Sequence, residues 1–215
     1  MVIGGLLCAP NEAASLRQRI RTAQGRFPDS LKWERVRRAN FRRYANLIED
    51  FSDRNRAQRV DFCAVIIDTH LADHDEHNEG DEEMGFHKWV AQHLLRHSRV
   101  LGRDATFQCY YAQRSSPRPI WEIHSAINNM ACIHYRDNRR RFVELKNRPF
   151  KDDPMFFLAD ILIGAVGAAY NNTLEPGPKR DLAELIRCEA GLETLARPTT
   201  SNRKNFDIWE FQMKK

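Results

Sequence analysis

Val60-Asp-Phe-Cys-Ala-Val-Ile-Ile67 is the clearest β-strand in the amino-acid sequence. The run is rich in β-branched residues, and polar residues bound it on both sides. Its continuous apolar character predicts a strand buried on both faces, as in the middle of a mixed or parallel sheet. Similar runs predict further strands at Val2 to Cys8, Ala105 to Ala112, Arg141 to Leu145 and, as a closing edge strand, Phe206 to Phe211.

Helical patterns fill most of the stretches between these strands. A helix is predicted to open at Asn11 as its N-cap, and others at Trp33 to Phe51, Phe86 to Leu101, Ile120 to Ile133, around Asp160, and Asp181 to Cys188. The polar stretch 68–85 predicts a long acidic loop. Strands that alternate with helices predict an α/β fold with one mixed central sheet flanked by helices. The length of 215 residues favours a single domain over residues 1–215.

Charge is distributed unevenly along the chain, although the net charge is only +5. Lys and Arg dominate the stretch from Arg17 to Arg43 and a second one from Arg136 to Lys151. By contrast, Asp68 to Glu83 holds eight acids and no Lys or Arg. Separate basic and acidic patches favour binding of a polyanion on one face, while solvated helix faces are the alternative interpretation.

The cysteines and the apolar runs indicate the cellular compartment of the protein. The five cysteines show no C-x-x-C spacing, which predicts free thiols and a reducing cytoplasm. Residues 1–8 lack a basic region and are too short for a signal peptide. The apolar run 155–169 is shorter than the roughly 20 residues of a membrane helix, so no membrane partner is predicted.

Asp160 is the one charged residue in the apolar run from Met155 to Ala169. A carboxylate in an apolar helix must be paired, protonated or bound to a cation, because leaving it bare costs several kcal/mol. Asp160 is therefore either a core acid satisfied by a neighbour or part of a functional site.

Asp68 follows the strongest predicted strand. Ligands of open α/β sheets collect at the carboxyl ends of strands, so Asp68 is placed for chemistry, or it caps the next turn. His70, His74 and His77 suggest a zinc site, but their loop composition favours a solvated acidic loop. No phosphate-binding or nucleophile motif occurs, and the Gly4-Gly5 pair inside a strand indicates close packing.

Several short motifs follow one another in a recognisable order: Val2 to Leu7, Leu31-Lys-Trp-Glu-Arg-Val36, Phe107 to Ser115, Phe157 to Ala165, and Phe206-Asp-Ile-Trp209. Together they resemble the family of domain of unknown function 3800 over nearly the whole chain. The resemblance implies a ribonuclease-H-like fold and a metal-dependent nuclease. It also implies that Asp160 is the late acid of the last core helix, that Lys32 and Trp33 form the Lys-Trp signature, and that Arg114 and Ser115 form the Arg-Ser motif.

The resulting nuclease hypothesis assigns a role to each of these residues. Asp160 and Asp68 would hold Mg²⁺ or Mn²⁺ and, with Lys32, would be catalytic. Lys32, Arg114 and Ser115 would bind the phosphates of RNA or DNA.

Two departures from the family pattern predict weak or absent catalysis. The chain lacks the opening Asp-Glu-Ser-Gly strand, and Ala112 stands where the family often has an acid. The second hypothesis is therefore a non-catalytic protein that binds nucleic acid or a protein partner. The missing first strand would also leave a sheet edge exposed, which favours a dimer.

Overall fold

The computed structural model describes residues 1–25, 31–71, 80–101, 104–114, 118–199 and 205–212. The chain forms two compact units, Met1–Ile67 with Phe150–Gln212, and Asp68–Pro149. In chain order, the described strands and α-helices are β1 (Val2–Cys8), α1 (Pro10–Gln24), α2 (Phe41–Arg56), β2 (Val60–Ile66), α3 (Glu82–Ser98), β3 (Phe107–Ala112), α4 (Ile120–Tyr135), β4 (Phe142–Arg148), α5 (Met155–Tyr170), α6 (Pro178–Glu189) and β5 (Phe206–Glu210). The protein is thus a mixed α/β protein.

The first unit is built on a three-stranded sheet with the order β1-β2-β5. β1 is antiparallel to β2, and β5 is parallel to it, so the sheet is mixed. Every residue of β2 except Asp61 is buried, which confirms the prediction of a central strand covered on both faces. β5 lies at an edge of this sheet, also as predicted.

Helix α5 packs directly against β1. A Cβ atom on Gly4 would lie 2.8 Å from Cγ1 of Ile163, so any larger residue would force a shift at this contact. This confirms the interpretation of Gly4 as a point of close packing. The hydrophobic core continues through buried residues of all four helices of the unit, among them Leu16, Ile48, Phe157, Ile161 and Ile186.

The second unit contains a two-stranded sheet, β3-β4, whose strands are parallel. A parallel pair needs a crossover connection, and α4 supplies it. The rings of Phe107 and Phe142 stack 5.1 Å apart at the start of the two strands. The prediction of one central sheet is therefore wrong for the described strands, because β3 pairs with β4 and not with β2. The single domain stays a prediction.

Three helix starts differ from the sequence-based prediction. α1 begins at Pro10, with Ala9 and not Asn11 as its N-cap. The helix predicted from Trp33 begins only at Phe41, after short 3₁₀ turns at Trp33–Arg35 and Arg38–Asn40. α3 starts at Glu82 inside the predicted acidic loop, because Oδ1 of Asp81 accepts a hydrogen bond from the N–H of Met84 (3.0 Å).

All five cysteines are free thiols, which confirms that part of the prediction. Their burial ranges from buried Cys63 to exposed Cys188. Among the described helices, none combines the length and the apolar composition that a membrane crossing requires.

Candidate functional site

Asp160 holds the backbone of Trp33 against α5. Its Oδ2 accepts a hydrogen bond from the Trp33 N–H at 2.8 Å. Gly164 lies one helical turn further along the same face, and a Cβ atom there would stand 2.2 Å from Cγ of Trp33. Asp160 therefore fixes the backbone of Trp33 while Gly164 makes room for its side chain, which fits the core-acid interpretation of Asp160.

Burial raises the pKa of Asp160 above its ordinary value. The hydrogen bond from Trp33 and the charge of Lys32 act in the opposite direction, and Glu34 adds a smaller upward contribution. The ionised carboxylate is thus less favourable here than in water, although its partners compensate for part of the cost of burial.

Lys32 is held in place through its backbone. The hydroxyl group of Tyr44, on α2, accepts from the Lys32 N–H (3.1 Å) and donates to the Lys32 carbonyl oxygen (3.0 Å). The Lys32 ammonium lies 5.0 Å from the centre of the Phe150 ring, in a cation–π contact. Asp160, Lys32 and Trp33 therefore come together at one corner of the first unit.

Residues 32–43 form a basic segment around this corner. It contains Lys32, Arg35, Arg37, Arg38, Arg42 and Arg43 against a single acid, Glu34. Four of its arginines, Arg35, Arg37, Arg38 and Arg42, are exposed. Lys179 of α6 adds a further positive charge, because its ammonium lies 5.7 Å from the centre of the Trp33 ring.

Asp68 lies in the second unit and caps a local turn. Its Oδ1 accepts from the N–H of His70 (3.0 Å), and its carbonyl oxygen accepts from the N–H of Leu71 (3.3 Å). This geometry fits the alternative of a capping residue after the strand. His74 and His77 of the zinc hypothesis lie outside the described residues.

Arg114 also lies in the second unit, where it has an acidic partner. It donates to Oε2 of Glu83 at 3.1 Å, and its guanidinium lies 3.9 Å from the centre of the Phe86 ring. A phosphate would have to compete with Glu83 for this side chain. Ser115 lies outside the described residues.

A polar cluster surrounds His87, and the sequence-based prediction does not include it. This buried side chain stands between two carboxylates, 3.5 Å from Oε1 of Glu83 and 3.9 Å from Oε2 of Glu122. Arg118 binds Glu122 (2.6 Å) and Asp81. Burial lowers the pKa of His87, although both carboxylates act to raise it. The i, i+4 spacing of Glu83 and His87 indicates such a contact only if both residues are helical, and the predicted acidic loop includes residue 83.

The described residues do not fit the Mg²⁺ or Mn²⁺ ion that the resemblance implies. Hard cations take six or more oxygen ligands, several of them usually carboxylates. No three His, Cys, Asp or Glu side chains in the described ranges are grouped so that they could hold a metal ion. Asp160 and Asp68 each already bind a backbone N–H.

Comparison with known proteins gives no match, whether to a family model, to a curated protein or to a solved structure. The resemblance to the domain of unknown function 3800 therefore stays a prediction. The features that bear on function are therefore the Trp33–Asp160 corner and its basic segment.

Proposed function

We propose that the protein binds nucleic acid through the basic segment 32–43. The observation that carries the proposal is the concentration of positive charge there, with Lys179 added next to Trp33. Phosphate groups account for most of the affinity of proteins for nucleic acid, and Lys and Arg are their usual partners. The hydrogen bonds of Asp160 and Tyr44 to residues 32 and 33 hold the start of the segment in place.

Several arginines elsewhere in the first unit are paired with acidic side chains. Arg17 forms an ion pair with buried Asp153 at 2.8 Å, and Arg54 pairs with both Glu12 and Asp50. Arg37 instead donates to the carbonyl oxygens of Glu34 and Val36, both at 2.8 Å. Those bonds orient the guanidinium and leave its charge available to an anion.

Fluorescence anisotropy with labelled 20-nucleotide RNA and DNA tests this proposal. The double variant Arg38→Gln/Arg42→Gln is expected to weaken binding and to reduce the slope of log K against log salt by about one to two. The matched control Arg21→Gln/Arg197→Gln removes two exposed charges of the same unit and is expected to bind almost as tightly as the wild type. Equal losses in both variants, or binding insensitive to salt, would contradict the proposal.

A metal-dependent nuclease with a ribonuclease-H-like fold is the second candidate function. Two things support it: the resemblance, and the half-buried carboxylate of Asp160, which feels the positive charge of Lys32. Incubation of the same substrates with Mg²⁺, Mn²⁺ or a chelator tests this activity. Cleavage that needs the metal and is lost in Asp160→Asn would support it. Absence of cleavage, or full activity of the variant, would exclude Asp160 as a catalytic residue.

A further inference from the structure

Strand β1 has a partner along only one of its two edges among the described strands, since the sheet order is β1-β2-β5. Met1 and Ile67 form two hydrogen bonds with each other. The Met1 amino group donates to the Ile67 carbonyl oxygen (2.7 Å), and the Ile67 N–H donates to the Met1 carbonyl oxygen (2.9 Å). In an antiparallel pair the hydrogen-bonded positions alternate. Ile3, Gly5 and Leu7 therefore bond to β2 at their paired positions.

The remaining residues of β1 direct their backbone groups to the open edge. By the same alternation these are Val2, Gly4, Leu6 and Cys8. No described residue outside β2 forms a backbone hydrogen bond with this strand. The open edge thus carries four N–H and four C=O groups in about 20 Å of extended chain.

The opposite edge of the sheet is protected. Thr199 donates its N–H to the carbonyl oxygen of Ile208 (2.7 Å), and its Oγ1 accepts from the Ile208 N–H (3.1 Å). Ile208 lies in β5, so a side chain and a backbone amide cover the middle of that edge. β1 has no such cover in the described part of the chain.

The composition of β1 also lacks the usual protection of an edge strand. Such strands commonly carry Lys, Pro or an inward-pointing charge that prevents pairing with another chain. β1 reads Val-Ile-Gly-Gly-Leu-Leu-Cys, without charge or proline, and all seven residues are partly exposed. This edge is apolar and regular, so its free N–H and C=O groups can form hydrogen bonds with a strand of another chain.

We infer that β1 pairs with β1 of a second copy of this chain, antiparallel, about a two-fold axis at Gly5. In that register Val2 faces Cys8 of the second copy, and Gly4 faces Leu6. Each of these pairs joins two residues whose backbone groups point outward, so all outward groups are satisfied. The two sheets then form one continuous sheet across the axis, with an isologous interface.

The edge is complementary to itself, and this favours a second copy over an unrelated peptide. The outward residues are placed symmetrically about Gly5, so one register satisfies every one of them. Gly5 meets Gly5 on the axis, where strands approach most closely and no side chain intervenes. Ile3 faces Leu7 of the second copy on the sheet face opposite α5, and no charge opposes another.

Paired charge variants test both the dimer and its register. Sedimentation equilibrium of the full chain is expected to show a dimer at micromolar concentration. In the variant Ile3→Lys/Leu7→Lys, residue 3 of each copy faces residue 7 of the other, so like charges oppose each other at two places. In the variant Ile3→Lys/Leu7→Glu, opposite charges face each other at the same two places. The dissociation constant of the Lys/Lys variant is expected to be at least about tenfold higher than that of the Lys/Glu variant.

Circular dichroism of both variants establishes that the protomer is folded. A wild-type protein that stays monomeric at 100 µM overturns the inference. So does a dimer whose dissociation constant is the same in the Lys/Lys and Lys/Glu variants, because the interface would then lie elsewhere or in another register.

Discussion

The backbone N–H of Trp33 donates to Asp160, a residue 127 positions later in the chain. The hydrogen bond joins the start of the basic segment to the middle of α5. An acid that looks like a catalytic group in the sequence thus has a structural partner. The same corner carries the positive charge on which the proposed function rests.

Gly164→Ala is expected to destabilise the first unit by about 1–3 kcal/mol. The added Cβ would lie 2.2–2.6 Å from three atoms of Trp33, so the indole has to move. Urea denaturation followed by tryptophan fluorescence measures the loss. Gly167→Ala is the matched control on the same helix, because its Cβ makes only an ordinary 3.4 Å contact with Val2. It is expected to be neutral or to gain up to about 1 kcal/mol from helix propensity, and equal losses in the two variants would contradict the argument.

Replacement of Asp160 separates its hydrogen bond from its charge. Asp160→Ala leaves the Trp33 N–H without its acceptor and is expected to cost about 1–3 kcal/mol. Asp160→Asn keeps an acceptor oxygen. Burial raises the pKa of Asp160, so ionising this carboxyl group costs more in the folded protein than in the unfolded chain, and the Asn variant is expected to be at least as stable as the wild type. Chemical denaturation at pH 7 ranks the three proteins, and an Asn variant as unstable as the Ala variant would show that the charge matters.

The side chain of Asn128 forms hydrogen bonds with the backbone of Phe142 at the start of β4. Its side-chain oxygen accepts from the N–H of Phe142 (3.1 Å), and its Nδ2 donates to the carbonyl oxygen of the same residue (3.0 Å). Asn128→Leu leaves the N–H of Phe142 without this acceptor, whereas the Phe142 carbonyl oxygen keeps its hydrogen bond with Nε2 of His124 (2.6 Å). The variant is expected to cost about 1–3 kcal/mol in urea denaturation. Exposed Asn129→Leu is the control on the same helix, and a similar loss there would show that the hydrogen bonds to Phe142 are not the cause.

Acid is expected to destabilise the second unit through two buried histidines of α3. Burial lowers the pKa of His93 to about 4 and that of His97 well below 6.5. The unfolded chain therefore binds more protons between about pH 6.5 and 4, and stability falls as the pH falls through this range. For His93 the loss is on the order of 3 kcal/mol. His93→Leu should show a smaller loss between pH 7 and 5, whereas exposed His134→Leu should follow the wild type.

Much of the fold could be predicted, because the strongest signals were local. The apolar run at 60–67 gave a central strand, and the periodic patterns gave most of the helices. The single central sheet was wrong because sequence periodicity does not say which strands pair. The late start of α2 was missed because Trp33 is held by Asp160, a contact between distant parts of the chain.

The sequence predicts some residues of the candidate site, such as Asp160 and Lys32, but it does not predict which groups they contact. The isolation of Asp160 in an apolar run indicated that its carboxylate needs a partner, and the resemblance assigned Asp160 and Lys32 to one site. The partner of Asp160 was not predictable, because it is a backbone N–H and nearly every residue has one. The cluster at His87 was missed for a different reason: α3 begins one turn earlier than its apolar pattern suggests.

Strand β2 lies between β1, which precedes it in the chain, and β5, which includes residues 206–210. During synthesis β5 leaves the ribosome after β1 and β2, and only after the whole of the second unit. For that interval β2, the most buried of the described strands, has one side without its final partner. A nascent chain of this topology therefore depends on the speed of translation, or on a chaperone, to keep that edge from pairing with another molecule.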